Sequence, residues 1–396
     1  MQYFAIGVVS VMVLFCIVAI VDLVFLKSKW GLGREFKRAF TLIGPLVLAM
    51  TGIISFVPVI AWLLEHTLTP LYTMIGLDPS LAVTTILAMD MGGYQLACEV
   101  ALDTTIGEWA GMVYGSMMGA TIVFLIPVGL GAIRGEDITF FSKGILYGIV
   151  AIPFGTFVGG LMMGIKVTVL LINLIIPSVF SIIIVLCLHF APHGTVKVFK
   201  GFSIGLDAFA VLALGIAIVK DFVLVPISNT GAFDIEQVPF FNMIAPTSEG
   251  VLISGNIGLM LAGTLPFVYV LTKLVKKPIG KFATRHGMTE IGITSFITTM
   301  ANSMGMFPFM SDMTDREKVL NVSFAVCASW VIGDHLAFAA TTAPHLIAPM
   351  MVAKLVSGVI ALILAYVFTR DMKGSTESHV ENCVDNDICT EDMTEV

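Results

Sequence analysis

The chain has 396 residues, 57% of them hydrophobic and 12% charged, with a formal net charge of −7. An ordinary soluble domain carries about 25% charged residues, so a single water-soluble core is excluded. Much of the acid follows Arg370, from Asp371 to Glu395, which leaves the rest near neutrality and gives no basis for nucleic-acid binding.

Long apolar runs recur along the whole sequence and predict an all-α polytopic membrane protein surrounded by lipid. Eleven segments stand out, at roughly 4–26, 40–64, 80–98, 109–133, 145–165, 167–190, 203–226, 250–272, 291–310, 319–343 and 345–368. The first lacks the basic start of a signal peptide, and its charges come afterwards, at Lys27, Lys29 and Arg34. It reads as a retained helix with its N-terminus outside.

The third segment breaks at Met91, Gly92 and Gly93, directly after Asp90. An ionised carboxylate at membrane depth costs roughly 2.5–3.5 kcal/mol unless it has a partner. A broken helix there frees carbonyls and aims helix ends at a ligand, so Asp90 is a candidate site for a cation. The plainer alternative is an Asp that caps a short helix or stays protonated. Tyr94 and Gln95 follow it. In the fourth segment Gly111, Gly115 and Gly119 have the spacing of close helix packing, and Ser116 is a hydroxyl partner. The ninth segment breaks at Asn302-Ser303-Met304-Gly305, which makes Asn302 the counterpart of Asp90.

The tenth segment carries Asp334 and His335 in an otherwise apolar stretch. Asp334 could share the cation or orient His335, and His335 could relay a proton, with an unperturbed pKa of ~6.5. The plainer alternative is an Asp–His pair that fixes packing. Tyr94, Phe307 and Trp330 could cover an ammonium group, or could be ordinary core. Asp22 and Asp207 read as interfacial. Residues 371–396 read as a disordered acidic tail on the cytoplasmic side.

Charge placement decides between eleven spans and nine. If all segments span, Lys and Arg divide almost evenly between the two sides. If the third and ninth are re-entrant hairpins, every basic residue except Lys166, Lys220 and Lys354 falls on one side. The positive-inside rule favours about nine full spans plus two re-entrant hairpins. Acidic residues such as Glu65, Asp78 and Glu108 then gather outside, either as a vestibule that concentrates cations or simply because the basic residues stay inside.

The halves can be laid on one another: Gly52–Val57 on Gly263–Val268, Asp90–Gly93 on Asn302–Gly305, and Gly115-Ser116-Met117 on Gly333-Asp334-His335. In the nine-span reading they have opposite orientation. Residues 1–370 then form one transport domain of inverted-topology repeats, about 4–165 and about 203–368, a secondary-transporter design.

Phosphate-loop, HExxH and GxSxG motifs are absent, which argues against an enzyme. The six cysteines show no metal spacing, so neither a metal nor another cofactor is expected.

Several stretches together resemble a known family. They are Asp90-Met91-Gly92-Gly93, Gly115–Gly119 with Thr121–Phe124, Ile126-Pro127-Val128, Lys318–Ala325, and Gly333–Leu336 with Phe338-Ala339-Ala340. The sequence is similar to the ethanolamine-utilisation membrane proteins, the EutH-type ethanolamine permeases, over most of residues 40–368. One departure is Gly119-Ala120, where the family has Gly-Pro, a local kink. The resemblance implies ethanolamine uptake across a bacterial cytoplasmic membrane, by a permease or facilitator. A passive channel for a small amine, and a membrane sensor or scaffold acting through the acidic tail, are the alternatives. A homo-oligomer is compatible with either. For an ammonium bearing one hydroxyl, Asp90, Asp334 and His335 with Trp330, Tyr94, Gln95, Ser116 and Asn302 form the candidate substrate site.

Overall fold

A computed structural model describes residues 2–231, 234–285, 288–370 and Met372. Apart from Met372, the predicted tail lies outside the described residues. The described residues are 86% helical, with no strand among them. Among the described residues, eight helices are long and apolar enough to cross a membrane.

In chain order the helices are α1 (Gln2–Val24), α2 (Leu32–Met74), α3 (Ser80–Ile86), α4 (Tyr94–Val100) and α5 (Thr104–Ala132). Then come α6 (Gly135–Met162), α7 (Val167–Phe190), α8 (Lys197–Asn229) and α9 (Thr247–Arg285). The last four are α10 (Glu290–Ala301), α11 (Asp315–Ala328), α12 (Asp334–Thr342) and α13 (Pro344–Phe368).

In lipid an unpaired backbone N–H or C=O costs several kcal/mol, and a long helix satisfies these groups within its own segment. α1 buries only Ala5, Met12, Ala19 and Asp22 of its 23 residues. That narrow stripe packs on α9, where a Cβ added at Gly263 would strike the Met12 backbone. The rest of α1, including Leu14 and Ile17, is exposed and apolar, a surface for lipid. At 43 residues α2 is about 65 Å long, roughly twice a hydrocarbon layer of ~30 Å. α2 and α9 pack along each other, α1 lies on α9, and α8 lies on α2.

A second core forms around α6. Gly144, Gly148 and Gly155 face Val322, Val326 and the Ala353 carbonyl, so α11 and α13 approach the α6 backbone closely. Ion pairs gather the reversals at one end of the bundle. Lys318 Nζ lies 2.8 Å from Asp137 and 3.2 Å from Asp315, and the Arg316 guanidinium sits over the Tyr366 ring. At the other end His345 meets Glu108 at 3.2 Å, and Asp221 accepts from the Thr247 hydroxyl at 2.7 Å.

Two stretches enter the fold and return to where they began. The Asp78 carboxylate accepts N–H bonds from Ser80 (2.9 Å) and Leu102 (3.0 Å), closing the neck of residues 78–102. The Glu317 carboxylate accepts from the Thr289 N–H, the Thr289 hydroxyl (3.0 Å) and the Thr314 N–H (2.9 Å), closing residues 289–314.

The structure corrects two expectations. The return limb of the second hairpin is not a helix like α10, but 3-10 turns at Ser303–Gly305 and Phe307–Asp312. The tenth apolar segment is not one continuous span, since residues 329–333 are unwound between α11 and α12. Among the described residues that leaves eight long spans plus the broken pair.

Candidate functional site

The tip of the first hairpin is built to be irregular. Leu87 and Ala88 are extended, and Gly92 has φ +77°. A Cβ at Gly92 would also strike Ile53 of α2, so glycine serves both the left-handed turn and the close approach. Gly119 of α5 lies against the Leu87 carbonyl, and Gly115 against Thr84. The small-residue spacing in α5 thus packs this span onto the hairpin.

Asp90 sits in that tip between the buried Met89 and Met91. It is half-buried, and its Oδ1 has no hydrogen-bond partner. Five residues on, at the start of α4, both amide atoms of Gln95 are buried and unpaired. Unsatisfied buried polar atoms are few in native interiors. A carboxylate oxygen and a whole amide left open in one tip are therefore available to a ligand.

The unwound residues 329–333 form the second wall. The Trp330 N–H donates to the Thr299 carbonyl at 3.2 Å and the Ile332 N–H to the Met300 carbonyl at 3.0 Å. These bonds tie the break to the end of α10, where Gly333 lies against the Ala301 carbonyl. Trp330 has φ +58°, a conformation that costs a bulky residue of order 1–3 kcal/mol and marks a constrained site.

Asp334 opens α12, where the helix N-terminus favours negative charge. It is half-buried, and α12 packs against the Met89–Gly93 tip that carries Asp90. His335 is buried with its Nδ1 unpaired, and its ring centroid lies 5.3 Å from that of Trp330. Trp330 also contacts Phe124 at 6.3 Å.

The other predicted residues have more local roles. Tyr94 packs edge-on against Phe338, with centroids 6.0 Å apart. The Ser116 hydroxyl donates to the Val113 carbonyl at 2.9 Å. Asn302 Oδ1 accepts the Met304 N–H at 2.9 Å, which caps the turn after α10. Phe307 packs on Phe141, away from the carboxylates, at 5.8 Å. Asp22 accepts the Trp30 and Gly33 N–H groups at 2.9 Å and holds the turn between α1 and α2.

One residue of the site escaped sequence reasoning. Lys354 of α13 is fully buried, and its ammonium donates to the Ser116 carbonyl at 2.6 Å. That carbonyl belongs to the α5 stretch whose Gly115 and Gly119 pack on the hairpin that carries Asp90. The available signal was its position as the lone basic residue inside the last apolar segment. Asp90, Asp334, His335 and Lys354 thus come from three separate parts of the chain: the hairpin tip, the start of α12 and the middle of α13.

The large grooves lie elsewhere. One of about 820 Å³ runs between α6, α7 and α13 and is lined by apolar residues such as Phe154, Phe157 and Leu171. Another of about 420 Å³ lies between α1, α9 and α12, beside Cys16, Asn256 and Thr341. Neither includes a residue of the carboxylate site. Groove volume and open polar atoms thus point to different parts of the molecule.

The family described as "Ethanolamine utilisation protein, EutH" matches residues 6–368. The chain is 41% identical over 367 residues to a Listeria monocytogenes protein named "Probable ethanolamine permease EutH", covering 92% of this chain and 95% of that protein. It is 36% identical to an Escherichia coli protein of the same name, covering 86% of each. A Bacillus subtilis relative, "Uncharacterized protein YxeR", is 37% identical over 86% of this chain and 88% of its own length. No solved structure matches the chain.

Proposed function

We propose that this chain, which belongs to the EutH family of ethanolamine utilisation proteins, carries ethanolamine into the cell across the bacterial cytoplasmic membrane. The observation that carries the reading is the unpaired Asp90 oxygen at the tip of a broken hairpin inside a multi-pass membrane protein. A primary amine stays protonated near neutral pH, as Lys does with a pKa of ~10.4. The Asp90 carboxylate takes that ammonium, and the charge of Asp334 deepens the same well. The open amide of Gln95 and the free Nδ1 of His335 offer hydrogen bonds to the hydroxyl. Trp330 and Tyr94 supply aromatic faces, each worth roughly 0.5–2 kcal/mol toward a cation.

In this reading the two halves are inverted repeats, and residues 1–370 form one transport domain. The packing of α1 on α9 and of α8 on α2 supports it, as do the two hairpins closed at their necks. The N-terminus lies outside and the basic end lies in the cytoplasm. The hairpins gate the site from opposite sides, with Ser116 and Asn302 holding the backbone around it.

Uptake of labelled ethanolamine into proteoliposomes tests the proposal. Asp90→Asn removes the charge and keeps the shape, so uptake should fall by at least about tenfold, an effect of 1.4 kcal/mol or more. Folding is checked by gel filtration. Near-normal uptake would overturn the carboxylate reading. The same vesicles with and without a proton gradient separate coupled transport from facilitated passage.

A further inference from the structure

Lys354 is the buried charge that the transport reading does not use. Its side chain is 1% exposed. Among the described residues its only hydrogen-bond partner is the Ser116 carbonyl at 2.6 Å, although an ammonium has three donors. No carboxylate stands within ion-pair distance of it among those residues. Ser116 follows Gly115, which lies against Thr84 in the hairpin that carries Asp90, and the Asp90 Oδ1 is also unpaired. A buried anion and a buried cation therefore share one interior without touching. The other titratable groups around Lys354 are His335 and Cys327, and the Cys327 thiol is already spent on the Gly148 carbonyl at 3.3 Å.

A buried ammonium with one hydrogen bond and no ion pair keeps two donors to spare. The lysine stem has four carbons and several rotatable bonds, so a change of rotamer moves its ammonium off the Ser116 carbonyl and toward a neighbouring anion. The Asp90 carboxylate is also where the substrate ammonium is proposed to bind. A lysine head and a protonated primary amine are the same functional group, so the two compete for one anion.

We propose that Lys354 is a tethered counter-cation: its ammonium occupies the Asp90 carboxylate when the site is empty and withdraws to the Ser116 carbonyl when an amine substrate binds. This rests on the reading of Asp90 as the ammonium site. It also supplies what that reading lacks, a way for the empty protein to reorient. An empty site with bare carboxylates is expensive to carry through a dehydrated intermediate, and a neutralised one is not. A protein that lacks the tethered charge can reorient only with substrate bound. It can exchange amine for amine but cannot run net uptake.

The test measures two modes in proteoliposomes: net uptake into empty vesicles, and exchange into vesicles preloaded with unlabelled ethanolamine. Lys354→Gln keeps a donor for the Ser116 carbonyl and removes the charge. Its net uptake should fall by at least about tenfold while exchange stays within about threefold of wild type. Lys354→Arg keeps a permanent cation and should retain net uptake better than Lys354→Gln. Equal net uptake by Lys354→Gln and wild type overturns the proposal, and so does equal loss of both modes in a folded Lys354→Gln protein. If Lys354→Gln cannot be purified folded but Lys354→Arg can, the charge belongs to the fold and the proposal fails. The parent reading fails differently, by normal uptake in Asp90→Asn or by no uptake in either mode for the wild type.

Discussion

The hairpins at 78–102 and 289–314 share a neck and differ at the tip. In each, one buried carboxylate gathers donors from both limbs, Asp78 in the first and Glu317 in the second. Each tip also carries a short polar side chain at the break. At the first tip Asp90 leaves an oxygen open. At the second, Asn302 closes its Oδ1 on the Met304 N–H. The same scaffold is used once to present a charge and once to seal a turn. The difference teaches that a polar residue at a helix break is a ligand candidate only when the backbone around it leaves it unspent.

The sharpest way to break this comparison is to exchange the tips. In Asp90→Asn/Asn302→Asp the composition is unchanged and the charge moves to the second hairpin. An Asp at 302 caps the following turn as well as Asn does, so its carboxylate stays engaged with the Met304 N–H. Uptake by the double variant should remain at least about tenfold below wild type. Recovery to near wild-type uptake would mean the hairpins are interchangeable and the open oxygen is not what distinguishes them.

The necks allow a smaller test of the shared part. Glu317 accepts from three donors and is 2% exposed, and Asp78 accepts from two and is 5% exposed. An amide at either position turns an NH2 toward a backbone N–H. Hydrogen bonds to charged groups contribute about 1.5–3 kcal/mol each, and an unmet buried donor adds to the loss. Glu317→Gln should destabilise by about 3 kcal/mol and Asp78→Asn by about 2, read as thermal unfolding midpoints in detergent. The reverse order, or unchanged midpoints, would show that the necks do not hold the hairpins.

Most of the architecture was legible in the sequence because its causes are local. Apolar runs exceed what a soluble core can use, and Met91-Gly92-Gly93 marks a break that the φ of Gly92 requires. The break at residues 329–333 was not legible. Ser329-Trp330-Val331-Ile332-Gly333 continues an apolar run, and what unwinds it is pairing with Thr299 and Met300. Nor could the role of Ser116 be read locally. Its hydroxyl turns back on Val113, and what matters is its carbonyl, which Lys354 reaches from α13. Hydropathy identified Lys354 as an anomaly but could not see the Ser116 carbonyl that holds it. Asn302 was assigned by alignment to Asp90, and alignment says nothing about which acceptors are already used.

Asn302 gives the last and smallest test. Its backbone is extended, with φ −161° and ψ 116°, and its Oδ1 accepts the Met304 N–H at 2.9 Å on an exposed edge. Removing such a cap costs about 1 kcal/mol. Asn302→Ala should therefore lower the unfolding midpoint slightly and change uptake by no more than about fivefold, the equivalent of that 1 kcal/mol. The loss should appear in stability before it appears in transport, because the residue acts on the turn and not on the amine. Asp90→Ala should show the opposite order, with uptake falling by at least about tenfold whatever the midpoint does, because the residue acts on the amine and not on the turn. If Asn302→Ala abolished uptake while leaving stability unchanged, both tips would bind substrate, and the distinction between an open and a closed acceptor would not hold.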